Sequence, residues 1–360
     1  MRVLITHESF LPESCGGCEY GVYNVAKGLR GSGIDVRILT TGDPSLREYD
    51  GFETVRMPMS RYRMNFASRR IESFAQDVDL IQTSVYHAAL PSFLAGERLG
   101  RPVFLLVTAI CAKAWLEMKG RIAGRAYAAW ERFLLRRPYA RIIFPSDHAR
   151  ETGLAMGLDP ARCITIYPGV DREKFDPGQA KDNHVLFVGK FERRKGVYDV
   201  VQVARALPRI PFRMIGWGPE ESALRAAAPP NLNIEVLPPG TLMKEGPGGP
   251  LRQAFNRASV FLLPSRAESF GLVVVEAMAA GCAVVSTVAL EFMGMRVAPG
   301  DVGAMAEAIG ELWSDPSLTA RLGRRNVELA AYYNWERFTR SLLDLYREVL
   351  SETPAHMAHA

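Results

Sequence analysis

Long apolar runs are missing from this sequence of 360 residues. Its apolar runs, such as Phe104 to Val107 and Val260 to Leu263, are far short of the roughly 20 residues that a membrane-spanning helix needs. No basic segment followed by an apolar one opens the chain, so we do not expect an export signal. Together these absences predict a cytoplasmic protein that crosses no membrane.

Cysteine is scarce, and its spacing is mostly unpaired. The five cysteines are an odd number, which argues against the disulfide scaffold of a small secreted protein. Cys15 and Cys18 form one C-x-x-C, a spacing found in redox pairs and in half of a zinc site. No second pair completes a zinc site. We therefore predict neither metal binding nor redox chemistry, and look to the two intervening glycines instead.

Acidic residues are only slightly outnumbered, but the positive excess is concentrated. The net charge is +5 overall, whereas residues 113–141 hold eight basic and two acidic residues interleaved with aromatic ones. A basic amphipathic helix with aromatics is typical of an anionic membrane surface, and a helix packing its apolar face on a sheet explains the pattern equally well. No known nucleic-acid module accompanies the charge, so we expect no nucleic-acid partner. The basic residues are Lys113, Lys119, Arg121, Arg125, Arg132, Arg136, Arg137 and Arg141.

The chain alternates short apolar runs with helical patterns, which predicts an α/β protein. Its length exceeds the size at which single cores stop growing, so two domains are expected. The polar segment Arg172 to Asp182 separates two series of strands and predicts domains at 1–171 and 172–334. Two polar segments, Arg61 to Arg70 and Pro238 to Pro250, are predicted to be irregular.

The stretch from Val260 to Thr287 carries the clearest chemistry. It predicts a strand, a loop, a helix and a second strand, so that the loop and the helix N-terminus lie at the carboxyl edge of a parallel sheet. Backbone N–H groups at that edge favour an anion. The carboxylates of Glu268 and Glu276 repel an anion and are suited to accept hydrogen bonds from hydroxyl groups. Phosphate and hydroxyl groups occur together in a nucleotide sugar.

Glu268-x7-Glu276 is framed by Pro264-Ser265 and Phe270-Gly271 and is followed by Ala277-Met278-Ala279 and Gly281. This pattern resembles the donor signature of the retaining glycosyltransferases of family 4. The resemblance implies the GT-B fold, in which two Rossmann-like, doubly wound domains face each other across an interdomain cleft, with helices from about residue 335 packed back on the first domain. It also implies transfer of a sugar from a UDP-, GDP- or ADP-linked donor to a hydroxyl of a glycan or lipid-linked acceptor. Retention of configuration and the absence of a metal or other cofactor are expected.

The resemblance also implies roles for particular residues. Lys190 and Lys195 correspond to an arginine and a lysine of the family, and with Glu268 they are the expected catalytic groups. Lys190, Lys195 and nearby amides would neutralise the departing diphosphate, while Glu276 would bind the ribose and Glu268 the sugar. The residues expected to bind the donor are Gly16, Gly17, Gly189, Lys190, Lys195, Glu268, Ser269, Phe270, Gly271, Leu272 and Glu276.

Two departures from the family pattern keep other functions open. The family commonly has a histidine two residues after a threonine over the donor sugar, where this chain has Ile110 after Thr108, and His87 is a candidate substitute facing sugar or acceptor. The segment Val288 to Met295 is also shorter than usual. A nucleotide-sugar epimerase or hydrolase on the same scaffold, or a partner subunit without catalysis, therefore remain as alternatives. Gly216-Trp217-Gly218 lacks the third glycine of a dinucleotide fingerprint, which argues against a dehydrogenase.

Overall fold

The computed structural model describes residues 1–14, 16–237 and 249–352, with the side chain of residue 117 excepted. The chain forms two units. The first comprises Met1–Pro168 together with the final helix from Trp335, and the second is Gly169–Asn334. The second unit thus starts three residues before the boundary expected from the sequence.

The first unit is built on a sheet of eight strands in the order β3-β4-β2-β1-β5-β6-β7-β8. Only β3 pairs antiparallel to its neighbour. The central strands are buried along almost their whole length because helices cover both faces of the sheet. The strands are β1 (Arg2–Thr6), β2 (Asp35–Thr41), β3 (Glu48–Tyr49), β4 (Phe52–Met57), β5 (Leu80–Ser84), β6 (Val103–Leu106), β7 (Arg141–Phe144) and β8 (Cys163–Thr165).

Helices connect these strands, and the end of the chain supplies one more. They are α1 (Gly17–Gly31), α2 (Ser68–Phe74), α3 (Ala89–Leu99), α4 (Ala114–Lys119), α5 (Arg121–Leu135), α6 (Asp147–Ala155) and the last helix, α13 (Trp335–Glu352). Ser146 caps α6 as predicted, because its Oγ accepts a hydrogen bond from the Ala149 N–H at 3.1 Å. The segment expected to be irregular at 61–70 instead forms a 3₁₀ helix, Arg61–Phe66, followed by the start of α2.

The last helix is anchored to the first unit by close contacts. The buried Tyr346 hydroxyl donates a hydrogen bond to Gln82 on β5, and the Tyr346 ring packs edge-to-face on Phe104 at 4.6 Å between centroids. Where α1 meets α13, a Cβ on Gly28 would overlap the Thr339 hydroxyl. Glycine is therefore required for the two helices to pack this closely.

The second unit has six parallel strands in the order β11-β10-β9-β12-β13-β14. Counted within the unit this is the order 3-2-1-4-5-6 of doubly wound folds, with the reversal between β9 and β12. The strands are β9 (Val185–Lys190), β10 (Phe212–Trp217), β11 (Leu232–Val236), β12 (Val260–Leu263), β13 (Ala283–Ser286) and β14 (Gly294–Arg296). The helices are α7 (Val197–Ala206), α8 (Glu221–Ala227), α9 (Pro250–Arg257), α10 (Leu272–Ala279), α11 (Val302–Ser314) and α12 (Pro316–Ala330).

The loop predicted at 238–250 lies mostly outside the described residues. Its last residue, Pro250, already belongs to α9, where proline is favoured because the first helical N–H has no partner in the helix. Within the described ranges, no helix is both long and apolar enough to cross a membrane.

Candidate functional site

The candidate site lies in the second unit, at the carboxyl ends of the adjacent strands β9 and β12. Ligands of doubly wound sheets bind at this reversal of strand order. Lys190 is the last residue of β9, and a 3₁₀ helix, Arg193–Lys195, follows it. The loop after β12 carries Glu268 and leads to Gly271, after which α10 begins. The fold therefore places the loops predicted from the sequence at one edge of one sheet.

Gly196 fixes the relative position of these two loops. Its backbone is left-handed, with φ of 69°, and a Cβ would overlap the carbonyl oxygen of Pro264. Beside it, the Arg266 N–H donates to the Arg194 carbonyl at 2.8 Å. Only glycine allows this close approach, which carries Lys195 to the loop after β12.

Lys195 and Glu268 form an ion pair, with Glu268 Oε2 as the acceptor. The two side chains are only 14% and 18% exposed, so water screens the pair less than it would a surface pair. The Ser265 hydroxyl also donates to Glu268 Oε2, at a long 3.4 Å. The structure thus joins two of the three residues expected to be catalytic, which are 73 positions apart in the chain.

Lys190 is held less firmly. Its side chain is 44% exposed, and Nζ lies 3.8 Å from Glu192 Oε1. Glu192 also accepts a hydrogen bond from Arg194 at 2.7 Å. No ion pair within the described part of the chain connects Lys190 to the Lys195–Glu268 pair. Lys190 is therefore a partly exposed and weakly paired cation at the sheet edge.

The first turn of α10 presents backbone N–H groups. Gly271 precedes the helix with a left-handed φ of 86° and has no side chain to cap it. Leu272 and Ser269 are half-buried, whereas Phe270 is buried and packs edge-to-face on Tyr333 at 5.6 Å. The amides of this turn and the helix dipole favour an anion, and the apolar anchor of Phe270 holds the turn in place.

Glu276, on α10, has an unusual environment. Its half-buried carboxylate makes no hydrogen bond or ion pair with any residue that the structure describes. Burial raises the pKa of Glu276 to about 7, although the charges of Arg252 and Lys174 counteract this rise. Such a group gains from hydroxyl donors that a ligand would bring.

The residues around Glu276 include three to which the sequence does not point. Arg252 is 4% exposed, lies on α9 and places its guanidinium 5.3 Å from the centre of the Phe175 ring. Asp171, the last residue before the segment expected to be a linker, forms an ion pair with Lys174 within that segment. The sequence marks Arg252 only weakly, as a basic residue that follows a Gly- and Pro-rich segment.

The glycines near the end of β9 have a structural explanation. A Cβ on Gly216 would overlap the carbonyl oxygen of Gly189, and one on Gly218 would lie 2.6 Å from the carbonyl oxygen of Phe191. The Phe191 N–H also donates to the Trp217 carbonyl at 2.7 Å. Gly216-Trp217-Gly218 therefore allows β9 and β10 to end close together, which accounts for this motif without a dinucleotide.

In the first unit, Gly16 precedes α1 and Gly17 is its first residue. A carboxylate already occupies this helix terminus: Glu19 accepts hydrogen bonds from the hydroxyls of Ser9 and Ser14, each at 2.8 Å. Burial raises the pKa of Glu19, but His7, the backbone and these hydroxyls together bring it below its usual value. Diphosphate binding at Gly16 and Gly17 stays a prediction.

The two other candidates of the first unit differ in accessibility. Ile110 is 9% exposed and belongs to the buried apolar cluster. His87, three residues beyond the end of β5, is half-buried, and its N–H donates to Glu8 Oε2 at 3.1 Å. Of the two, His87 is the one with a polar side chain available to a ligand.

The basic segment forms α4 and α5 and leaves large apolar side chains exposed. Five of the nine exposed large apolar residues among those described lie here, with Ile122 at 90%. Ile122, Trp130 and Phe133 share one face of α5, and arginines occupy the neighbouring face. Glu131, by contrast, is buried and accepts hydrogen bonds from the Tyr86 hydroxyl at 2.9 Å and from the Cys111 and Ala112 N–H groups. One face of α5, the face that includes Glu131, therefore packs on the rest of the unit, whereas the face with Ile122 is exposed.

Two family models match the chain, one after the other. The glycosyl transferase 4-like domain matches residues 16–169, and the model named glycosyl transferases group 1 matches residues 182–315. D-inositol 3-phosphate glycosyltransferase of Corynebacterium urealyticum is 33% identical over 242 residues, which are 58% of this chain and 57% of that protein. The chain thus spans about half the length of the curated relatives it matches.

Solved structures share the fold over nearly the whole chain. Sucrose-phosphate synthase of Thermosynechococcus elongatus has a TM-score of 0.79 at 20% identity, covering 98% of this chain and 99% of that one. Anabaena HepE in complex with UDP-glucose has a TM-score of 0.77 at 17% identity, covering 98% and 100%. At such identities the likeness concerns the fold alone. The two family models, which follow each other along the chain, agree with the Glu268-x7-Glu276 site and with the shared fold. The chain therefore belongs to the group 1 glycosyltransferases of family 4, with two Rossmann-like α/β domains of the GT-B class.

Proposed function

We propose that the protein transfers a sugar from a nucleotide diphosphate sugar to an acceptor hydroxyl, with retention of configuration and without a metal. The observation that carries this proposal is the half-buried carboxylate of Glu276, without a partner among the described residues, on the same helix whose N-terminus offers amides to an anion. Hydroxyl acceptor and anion site lie little more than one helical turn apart on α10, about 6 Å along the helix axis, a spacing suited to ribose and diphosphate.

The donor is proposed to be a UDP-sugar. Anabaena HepE, which shares the fold, was solved with UDP and with UDP-glucose. GDP- and ADP-linked sugars offer the same ribose and diphosphate groups. The choice of uracil as the base therefore rests only on the similarity to Anabaena HepE.

The chemical step needs stabilisation of the negative charge that grows on the departing diphosphate. Lys195 would exchange Glu268 for a phosphate oxygen, and Lys190 would turn from Glu192 to the same group. Glu268, released from Lys195, would accept hydrogen bonds from sugar hydroxyls and orient the anomeric carbon for attack on the same face. Two cations and the amides before α10 would thus supply the charge that a divalent metal supplies elsewhere.

Donor binding is tested first, by thermal shift with UDP-, GDP- and ADP-sugars. A ligand at a hundred times its Kd stabilises the folded form by about 2.7 kcal/mol, which gives a clear shift. Transfer is then followed by NMR with a glycan acceptor, where retention gives a product with the donor's anomeric configuration. Activity that survives a chelator supports metal independence.

The outcomes separate the proposal from its alternatives. Free sugar released without acceptor indicates a hydrolase, and an inverted sugar stereocentre in the donor indicates an epimerase. Donor binding without turnover on any acceptor indicates a partner subunit. Lys195→Met should lower kcat by roughly 10²–10³-fold while the protein stays folded, and an unchanged kcat would remove Lys195 from the mechanism.

We also propose that α4 and α5 bind an anionic membrane surface, where a lipid-linked acceptor would be reached. The exposed Ile122, Trp130 and Phe133 would enter the interface while flanking arginines reach phosphate groups. The exposed apolar face of α5, next to its arginines, is the observation that supports peripheral binding to a membrane.

Vesicle flotation tests the membrane proposal with one double variant. Vesicles of anionic lipid should carry the wild-type protein at low salt and release it at high salt. Ile122→Ser/Trp130→Ser should float several-fold less, whereas Tyr332→Ser, an exposed aromatic of the second unit, should float as the wild type does. Flotation independent of the first two residues would reject this surface.

A further inference from the structure

A cavity of about 410 Å³ lies in the second unit, at the edge of the sheet opposite to the candidate donor site. Ser259 immediately precedes β12 and Gly281 comes two residues before β13, so the cavity borders the amino ends of these strands. Helices α11 and α12 and the segment 177–183 form its other walls. The volume is within the range of roughly 300–1,000 Å³ found for small-molecule sites. The cavity is separate from the loops that carry Lys195 and Glu268.

One face of α12 forms a wall of this cavity. The residues that line it recur at intervals of three or four, which places them on one side of the helix. Arg324 is the charged member of this face; it is exposed and forms no ion pair with any residue that the structure describes. The next residue, Arg325, points elsewhere and pairs with Glu328 at 2.7 Å. The lining residues of α12 are Pro316, Thr319, Ala320, Gly323, Arg324 and Val327.

Two glycines bring α12 close to the turn that follows α10. A Cβ on Gly323 would lie 2.2 Å from the Gly281 carbonyl oxygen, so only glycine allows the helix to approach the turn this closely. A Cβ on Gly281 would lie 3.8 Å from Lys181 Nζ. Lys181 and α12 therefore meet at the same turn, and Arg324 is the residue after Gly323. Both cations line one cavity, within reach of one small molecule.

The Lys181 ammonium is the more buried of the two cations. Its Nζ donates to the Ala280 carbonyl at 2.7 Å, at the carboxyl end of α10, and an ammonium has two further N–H donors. Burial lowers the pKa of Lys181, and the nearby Asp176 raises it by less. No aspartate or glutamate occurs in the lining as far as the structure describes it. A half-buried cation in such surroundings gains from an anionic ligand.

The remaining walls add an aromatic surface and an amide. Trp313 of α11 lines the cavity with a half-buried indole that stacks on no other ring in the described ranges. Leu312 and Val327 supply apolar surface beside it. Asn183 Oδ1 accepts a hydrogen bond from the Ser259 hydroxyl at 3.0 Å, and its Nδ2 group is a further donor. The cavity thus combines two cations with one flat, mainly apolar surface.

We propose that this cavity binds a small organic anion that contains a ring, and that the bound anion is an effector of donor binding. A phosphate or carboxylate of the ligand binds Lys181 and Arg324, and its ring lies against Trp313. The two cations select for negative charge, and the indole selects for a ring over an inorganic ion. The effector role rests on the proposed function, whereas the binding site does not.

Helix α10 connects this cavity with the donor site. Its first turn and Glu276 face the proposed donor, while Lys181 binds the carbonyl of Ala280 at its other end. An anion that draws the ammonium into the cavity weakens this contact, so the end of the helix loses a hydrogen bond and a favourable charge. Donor affinity should therefore fall when the anion is bound. By reciprocity, the donor weakens anion binding by the same factor.

Calorimetry with matched pairs of probes tests the site. Phenyl phosphate, benzoate and glucose 6-phosphate are compared with phenol, benzyl alcohol and glucose at constant ionic strength. At least one anion should bind, and more tightly than its uncharged counterpart. Arg324→Gln should weaken this binding about fivefold or more, because it removes a charge-assisted hydrogen bond. Ala320→Phe, which fills the cavity from its exposed position on α12, should abolish it.

The control variant is Arg325→Gln, which removes the neighbouring arginine outside the lining and should leave the probe affinity unchanged. Denaturant unfolding of each variant shows that it is folded. Absence of binding for all three anions would overturn the site, and so would an affinity that Arg324→Gln and Ala320→Phe both leave unchanged. Inorganic phosphate that binds as tightly as phenyl phosphate would also count against a site for a ring-containing anion.

UDP affinity, measured with and without a saturating probe anion, tests the effector role. The wild type should lose about fivefold in UDP affinity when the anion is bound, and Ala320→Phe should not respond to the anion. An equal UDP affinity in both conditions would reject the effector role. A wild-type protein that binds no UDP at all would reject the proposed function, and the probe affinities would then decide the binding site by themselves.

Discussion

Replacing Glu276 by glutamine should stabilise the protein while weakening donor binding. Burial raises the pKa of this carboxyl from 4.5 to about 7 in the folded protein. Because the folded state holds the proton more tightly than the unfolded one, stability falls as pH rises from about 4.5 to 7 and stays reduced above that. A shift of this size corresponds to about 3 kcal/mol at 1.36 kcal/mol per unit.

The expected gain therefore depends on pH. By the linkage relation, ionisation of Glu276 costs the folded state about 1 kcal/mol at pH 5 and about 3 kcal/mol at pH 8. Glu276→Gln cannot ionise, so the variant should exceed the wild type in stability by up to these amounts. Denaturant unfolding at both pH values measures the difference, and Glu291→Gln, an exposed glutamate of the same unit, should show no such trend.

The effect of Glu276→Gln on donor affinity should be opposite to its effect on stability. Ribose hydroxyls donate to the ionised carboxylate, so UDP affinity of the wild type should increase between pH 6 and 8, and Glu276→Gln should lose about tenfold or more at pH 8. Binding to the wild type at pH 7 should release protons, which calorimetry in buffers of different ionisation enthalpy detects. An equal stability difference at pH 5 and pH 8, or UDP affinity unaffected by the substitution, would refute the reasoning.

Three further predictions concern other contacts. Lys195→Met and Glu268→Gln should each reduce kcat, and the double variant should lose little more than the worse single one, because the pair acts as a unit; additive losses would contradict this. Gly196→Ala should cost about 2–4 kcal/mol in denaturant unfolding, whereas Gly310→Ala, in an open helical position, should be neutral or stabilising. Tyr346→Phe should cost about 1–3 kcal/mol by the same assay by leaving its partner on β5 unsatisfied, and an unchanged midpoint would contradict that contact.

The sequence predicts the strand Val260–Leu263 of the second unit well because parallel strands buried on both faces appear as continuous apolar runs, whereas the short β14 was not predicted. Val260–Leu263 has the bounds expected for it. Arg252 could not be found in this way, since its helix follows a Gly- and Pro-rich segment that favours loops, and its relation to Glu276 depends on tertiary packing. The 3₁₀ helix Arg61–Phe66 was missed for a similar reason: it is short, polar and stabilised by contacts with α3 rather than by its own pattern.

The ion pair between Lys195 and Glu268 illustrates how a site can prepare for a charged ligand that is not yet bound. A buried cation without a partner would destabilise the folded protein, and so would a buried carboxylate. Pairing them satisfies both in the free protein, and a donor that brings phosphate and hydroxyl groups offers each a new partner at the same moment. Donor binding would replace the single Lys195–Glu268 contact by two, from Lys195 to phosphate and from Glu268 to sugar hydroxyls, so the net cost of breaking the pair is small. Removing either residue alone leaves the other without a partner in the free protein. Glu276 has no such ion-pair partner among the described residues, and its raised pKa reflects the energetic cost of burying its charge in the free protein.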